Sequence, residues 1–167
     1  AKAAAVNNAG VILLEQGRYD EAADWLDRGL ELNEAAEDRR GVAHSHCSLG
    51  EVRFRLARPL EAQEHLKAAA EIAAQIEDAA CLALSQAFLA RTLAALGDSS
   101  MATALLRGLD GSTLCDSPES TAATRVARVE TGLDVHGAPT SGTVARGNAL
   151  VEELCLRLEA SVIAVGS

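Results

Sequence analysis

The strongest constraint on this chain is self-similarity at a fixed spacing. GVILLEQGRYDEAADWL from Gly10, GEVRFRLARPLEAQEHL from Gly50 and ARTLAALGDSSMATALL from Ala90 superimpose without a gap. Ala22, Ala62 and Ala102 fall 40 residues apart, and Gly17, Ala57, Gly97 and Leu26, Leu66, Leu106 keep the same register. A fixed period of this length means that copies of one supersecondary unit stack side by side, because a single unit cannot bury its own apolar face. Apolar residues recur in three- and four-residue steps on both sides of Gly17, Ala57 and Gly97, so each unit reads as two helices joined by a tight turn. In the first unit Ala9 and Leu13, then Ala22, Leu26 and Leu30, form the two facing stripes. Aromatic residues make up only 2% of the chain against 49% hydrophobic, so the core must come from Leu, Val and Ile packed closely against alanine.

The turn residues narrow the choice of solenoid. A small residue inside the first helix, Gly17, Tyr19, Glu21 and Ala22 in a G-x-Y-x-E-A turn, and a large apolar residue four positions after the alanine resemble the tetratricopeptide repeat family. The second unit departs from that pattern with Ala57, Pro59 and Arg53, the third has Ser99 at the aromatic place, and the family's proline after the second helix is absent. The period exceeds the family's common spacing of about 34 and overlaps that of HEAT and armadillo repeats, but the turn motif favours the tetratricopeptide assignment. Longer units of this kind occur in large bacterial regulators and kinesin light chains. The resemblance implies an all-α, right-handed α-α superhelix of three helix hairpins over about residues 3–38, 43–78 and 83–110, within a single domain. A degenerate fourth pair is expected over 117–162. Asp116-Ser117-Pro118-Glu119 opens its first helix, residues 137–142 form its loop, and Leu150, Leu154 and Leu158 share one face of its second helix.

The resemblance also implies a concave wall, lined by the first helix of each pair, as the binding surface. In this register the lining residues are Ala4, Asn7, Val11 and Leu14, then His44, Cys47, Glu51 and Phe54, then Leu84, Ala87, Arg91 and Ala94. Apolar groups beside a few polar anchors suit a protein or peptide with an apolar face. The subfamily that grips carboxylate-ended chaperone tails is a poor match, since Arg91 is the only basic residue in the deep positions of the stripe and Glu51 would repel a carboxylate.

Other chemistry has little to rest on. A formal net charge of -9 argues against nucleic acid or an anionic membrane as partner of this segment. Cys47, Cys81, Cys115 and Cys155 are widely spaced, with no CxxC pair, and read as reduced thiols of a cytoplasmic protein. His44 and Cys47 share a helix face, but two ligands do not make a closed metal site, and Cys47 near His44 lacks an oxyanion donor. Neither GxGxxG nor GxxxxGK[ST] is present, so no cofactor and no enzymatic activity are expected. The chain begins without methionine and in helical periodicity, which suggests a segment of a larger bacterial protein. The reading that follows is the sensor or regulatory segment of a multidomain transcriptional regulator, whose repeats bind a partner or other domains of the parent. A free-standing adaptor is the alternative, and self-association through the Leu150, Leu154 and Leu158 face is a third expectation.

Overall fold

The computed structural model describes residues 2–110, all of them in six helices and the short turns between them. These are α1 (Lys2–Glu15), α2 (Tyr19–Ala35), α3 (Arg39–Arg55), α4 (Pro59–Gln75), α5 (Ala79–Ala95) and α6 (Ser99–Asp110). Consecutive helices pack against one another, giving three hairpins in a tetratricopeptide-like solenoid. The expected pair at 117–162, including Leu150, Leu154 and Leu158, lies outside the described residues.

The turns explain the period. Gly17, Glu37, Ala57, Glu77 and Gly97 all have positive φ, between 53° and 92°. Each sits just past a helix end, and the next amide reaches back along the chain: Arg18 to Leu13, Asp38 to Asn33, Arg58 to Arg53, Asp78 to Ala73 and Asp98 to Leu93, every one at 2.9 Å. This is the Schellman arrangement, which satisfies the last carbonyls of each helix and reverses the chain. The motif recurs every 20 residues, so the turn within a hairpin and the turn between hairpins are alike. The four helices α2 to α5 consequently have 17 residues each.

Helix starts are fixed with equal economy. Asp38, Asp78 and Asp98 accept from the amides of Gly41, Cys81 and Met101 at 2.9, 3.1 and 3.1 Å, each serving as an N-cap. These caps start α3 and α5 at Arg39 and Ala79, one turn ahead of residues 43 and 83, where periodicity alone would open them. Arg18 and Arg58 stand at the corresponding places without a side-chain cap, and Pro59 opens α4 at a position whose amide has no helical partner to lose.

Small-to-large packing holds each hairpin closed. Ala22, Ala62 and Ala102 are fully buried, as are Leu26, Leu66 and Leu106. Leu26 and Leu66 press on Gly10 and Gly50 so closely that a Cβ at either glycine would overlap the leucine side chain. The third hairpin accommodates Ala90 at the same place. Between hairpins, Leu49 and Val52 on α3 and Leu89 and Thr92 on α5 are fully buried. Arg53, standing where an apolar residue is usual, is only 16% exposed at its side chain and bridges Asp27 of α2 at 2.9 Å and Glu61 of α4 at 3.5 Å. Its stem packs while its charge is paired.

Ala57 pays for its left-handed backbone where Gly17 and Gly97 do not, since a Cβ in that region costs about 1–2 kcal/mol. Part of any gain from glycine is returned through the freer unfolded chain. Ala57→Gly is therefore expected to stabilise the protein by about 0.5–1 kcal/mol in urea unfolding, and a loss of stability would contradict the strain argument.

Candidate functional site

Helices α1, α3 and α5 form one row and α2, α4 and α6 the other. α3 contacts both α1 and α5 directly, whereas the members of the second row make no comparable contact with each other. The inner row is thus the tighter one, and its outward stripe is the candidate binding face.

The structure divides the sequence-derived stripe into three groups. Val11 and Leu14 are half-buried against the first core cluster, and Leu84 and Ala94 against the second. Phe54 is also half-buried, while Ala4 is exposed and His44, its side chain 49% exposed, stands at the rim. Cys47 and Ala87, by contrast, are buried in the core that α3, α4 and α5 share. The small side chains in this column let neighbouring inner helices approach, which removes them from the surface. Asn7 is turned toward α3, donating from Nδ2 to the Ser45 hydroxyl at 2.7 Å.

Glu51 and Arg91 form the third group. Although both lie on the stripe, they are 6% and 3% exposed and are bound to each other across α3 and α5, Arg91 Nη2 donating to Glu51 Oε2. The other carboxylate oxygen accepts from Arg55 Nε at 2.9 Å. The Arg91 guanidinium carbon lies 4.3 Å from the Phe54 ring centroid and 5.0 Å from that of Phe88, so the cation is held between two aromatic faces. A buried, doubly bonded carboxylate and a ring-covered guanidinium form a structural bridge between adjacent repeats. Phe88 was absent from the sequence-derived stripe. Its place four residues after Leu84, on the same helix face, is the signal that marks it.

His44 has its Nε2 3.4 Å from Asp78 Oδ2, and Arg40 Nε donates to the same oxygen at 2.9 Å. Burial pushes the Asp78 carboxyl upward, but the Cys81 amide, Arg40 and His44 outweigh it and hold the group below its ordinary value. Also within the second hairpin, His46 and His65 meet Nδ1 to Nδ1 at 3.0 Å, with ring centroids 5.2 Å apart. A hydrogen bond between two ring nitrogens requires one to carry the proton and the other to accept it. Both pKa values are lowered. For His46 the cause is burial and then the His65 charge, opposed by Glu34. For His65 it is burial and then Arg53, opposed by Asp27, Glu64 and Glu61.

Among the described residues no three His, Cys, Asp or Glu side chains gather as a metal-holding group. No described helix is long and apolar enough to cross a membrane. Residues 2–75 match the tetratricopeptide repeat family model. The matched stretch covers the first two hairpins, α1 to α4, and α5 and α6 continue their geometry at the same 40-residue offset. Tetratricopeptide repeats are typically protein-interaction modules, which agrees with the stripe of half-buried apolar side chains along α1, α3 and α5. No curated protein and no solved structure matches the chain.

Two outcomes follow from the buried groups. Glu51→Ala leaves the Arg91 charge without its carboxylate and is expected to cost about 3 kcal/mol, while the double variant Glu51→Leu with Arg91→Met recovers most of that loss. Equal loss in single and double variants, measured by urea unfolding, would contradict the bridge. For the histidine pair the unfolded chain takes up protons more readily than the fold, so stability is complete above the ordinary histidine value of about 6.5. It declines as pH falls below that value toward the lowered pKa values of the folded pair. Both imidazoles should titrate below about 6.5 by NMR, and titration at or above it would refute the lowered values.

Proposed function

We propose that the inner row of this solenoid is a docking surface for a protein segment with an apolar face, such as an amphipathic helix or an extended peptide. The observation that carries the reading is the run of half-exposed apolar side chains Val11, Leu14, Phe54, Leu84 and Phe88 along α1, α3 and α5. Charge plays a lesser part, because Glu51 and Arg91 satisfy one another beneath the surface. A ligand carboxylate would have to displace Glu51 before meeting Arg91, so recognition is apolar first, with His44 at the rim as a polar contact.

The biological setting we propose is the sensor or regulatory segment of a multidomain bacterial transcriptional regulator, in which the repeats bind an inducing partner or another domain of the same polypeptide. The 40-residue unit supports this setting. If the parent coding sequence contains neither a nucleotide-binding nor a DNA-binding domain, the regulatory setting fails and an adaptor role takes its place.

The groove itself is tested with peptides selected against the full chain from a display library. Phe54→Ala is expected to weaken the selected peptides about tenfold or more, equivalent to about 1.4 kcal/mol, with the circular dichroism spectrum unchanged. Unaltered affinity in both Phe54→Ala and Leu84→Ala would reject the inner row as the site.

A further inference from the structure

One place in the second hairpin departs from its neighbours in chemistry. His46 on α3 and His65 on α4 meet there, whereas the 40-residue offset puts Val6 and Trp25 at the equivalent places in the first hairpin and Gln86 and Leu105 in the third. Val6, Gln86 and Leu105 are buried and Trp25 is 41% exposed, so both neighbouring hairpins fill this level without an ionisable group. The fold does not demand imidazoles here.

The two rings are placed to converge on a third atom. Their Nδ1 atoms lie 3.0 Å apart, and the ring planes are tilted by 41° with centroids 5.2 Å apart, so the nitrogens and not the ring faces make the contact. Imidazole nitrogens bound about 2.0–2.1 Å from a metal ion subtend roughly 90–100° at that ion when they are 3.0 Å apart. That is the angle between adjacent ligands of a tetragonal site, whereas a tetrahedral site would hold them about 3.3–3.4 Å apart. Both rings are half-buried, which leaves an ion and its water ligands a path to them. The surrounding charges are Glu34 for His46, and Asp27, Glu61 and Glu64 against Arg53 for His65, an excess of negative charge that favours a cation.

We propose that His46 and His65 form an open, two-residue site for a divalent copper or nickel ion, held by both Nδ1 atoms and completed by water. Imidazole and oxygen ligands in a tetragonal arrangement suit these ions, and copper stands highest in the affinity order of the divalent series. Among the described residues no third His, Cys, Asp or Glu joins the pair, so water supplies the remaining positions. The hydrogen bond that joins the rings in the ion-free protein gives way on binding. Its donor ring loses the proton on Nδ1 and takes one up at Nε2, becoming the other neutral tautomer, and both Nδ1 lone pairs then face the ion. The bound ion ties α3 to α4 and stabilises the second hairpin, on whose inner helix Phe54 stands.

The probe is nickel(II) chloride, which thiols do not reduce, added to the full chain in a buffer free of chelators. The expected result is one ion bound per chain in equilibrium dialysis and a higher thermal midpoint. In NMR spectra the ring signals of His46 and His65 should be perturbed together, before those of the two other histidines, His44 and His136. Loss of a group that merely supports a ligand costs about 10–100-fold in affinity, so His46→Gln and His65→Gln should each weaken binding by at least about tenfold. The double variant His46→Val with His65→Trp reproduces the pair of the first hairpin. It should fold and bind no ion at the concentration that saturates the natural chain. Three results would overturn the proposal: no ion bound by the natural chain, undiminished binding by the double variant, or ring perturbation confined to His44 or His136. Since the ring signals are read on the unsubstituted protein, the test stands even where a variant fails to fold.

Discussion

Five residues held at positive φ, Gly17, Glu37, Ala57, Glu77 and Gly97, stop each helix and turn the chain back on itself. Everything else is built on the equal helix lengths that result. Because the stops come every 20 residues, equivalent side chains in successive hairpins return to the same height and the same face. Leu26 and Leu66 can then press on Gly10 and Gly50 in turn, with Leu106 and Ala90 buried at the equivalent places, and the alanine column at 22, 62 and 102 keeps the paired helices close. A helix one residue longer would rotate its face by about 100° and break this alignment.

On that regular frame the junctions are individually furnished. The first is polar, with two asparagines on a serine, and the second has the buried Cys47, Ala73 and Cys81 at the places of Asn7, Asn33 and Gly41. The Glu51 and Arg91 bridge joins α3 to α5 at a level where the previous repeat has Val11 in the same column. Buried polar groups add little net stability when paired and cost much when orphaned. Their effect here is to fix the register of one hairpin on the next, while Val11, Leu14, Phe54, Leu84 and Phe88 remain partly exposed.

Much of the architecture was legible in the chain itself. Glycine at 17 and 97 and the repeating alanine and leucine columns mark three hairpins, since each residue type answers a local steric demand. The turns at Glu37 and Glu77 were not legible, because nothing about glutamate announces a left-handed backbone. The following aspartates at 38 and 78, 40 residues apart, were the available signal. The proposed binding stripe was legible only in part. Helical periodicity puts Cys47, Glu51, Ala87 and Arg91 on the same face as Phe54 and Leu84, but periodicity carries no information about how closely the next inner helix approaches.

The sequence by itself therefore determined the period, the helix pairs and the small-against-large contacts within them, all of which act between residues close in the chain or repeated along it. Only the tertiary structure decided which stripe residues stay at the surface, that Glu51 and Arg91 neutralise each other, and that His46 shares a proton with His65. Those outcomes depend on the distance between neighbouring helices, and that distance is set by the packing of the whole stack.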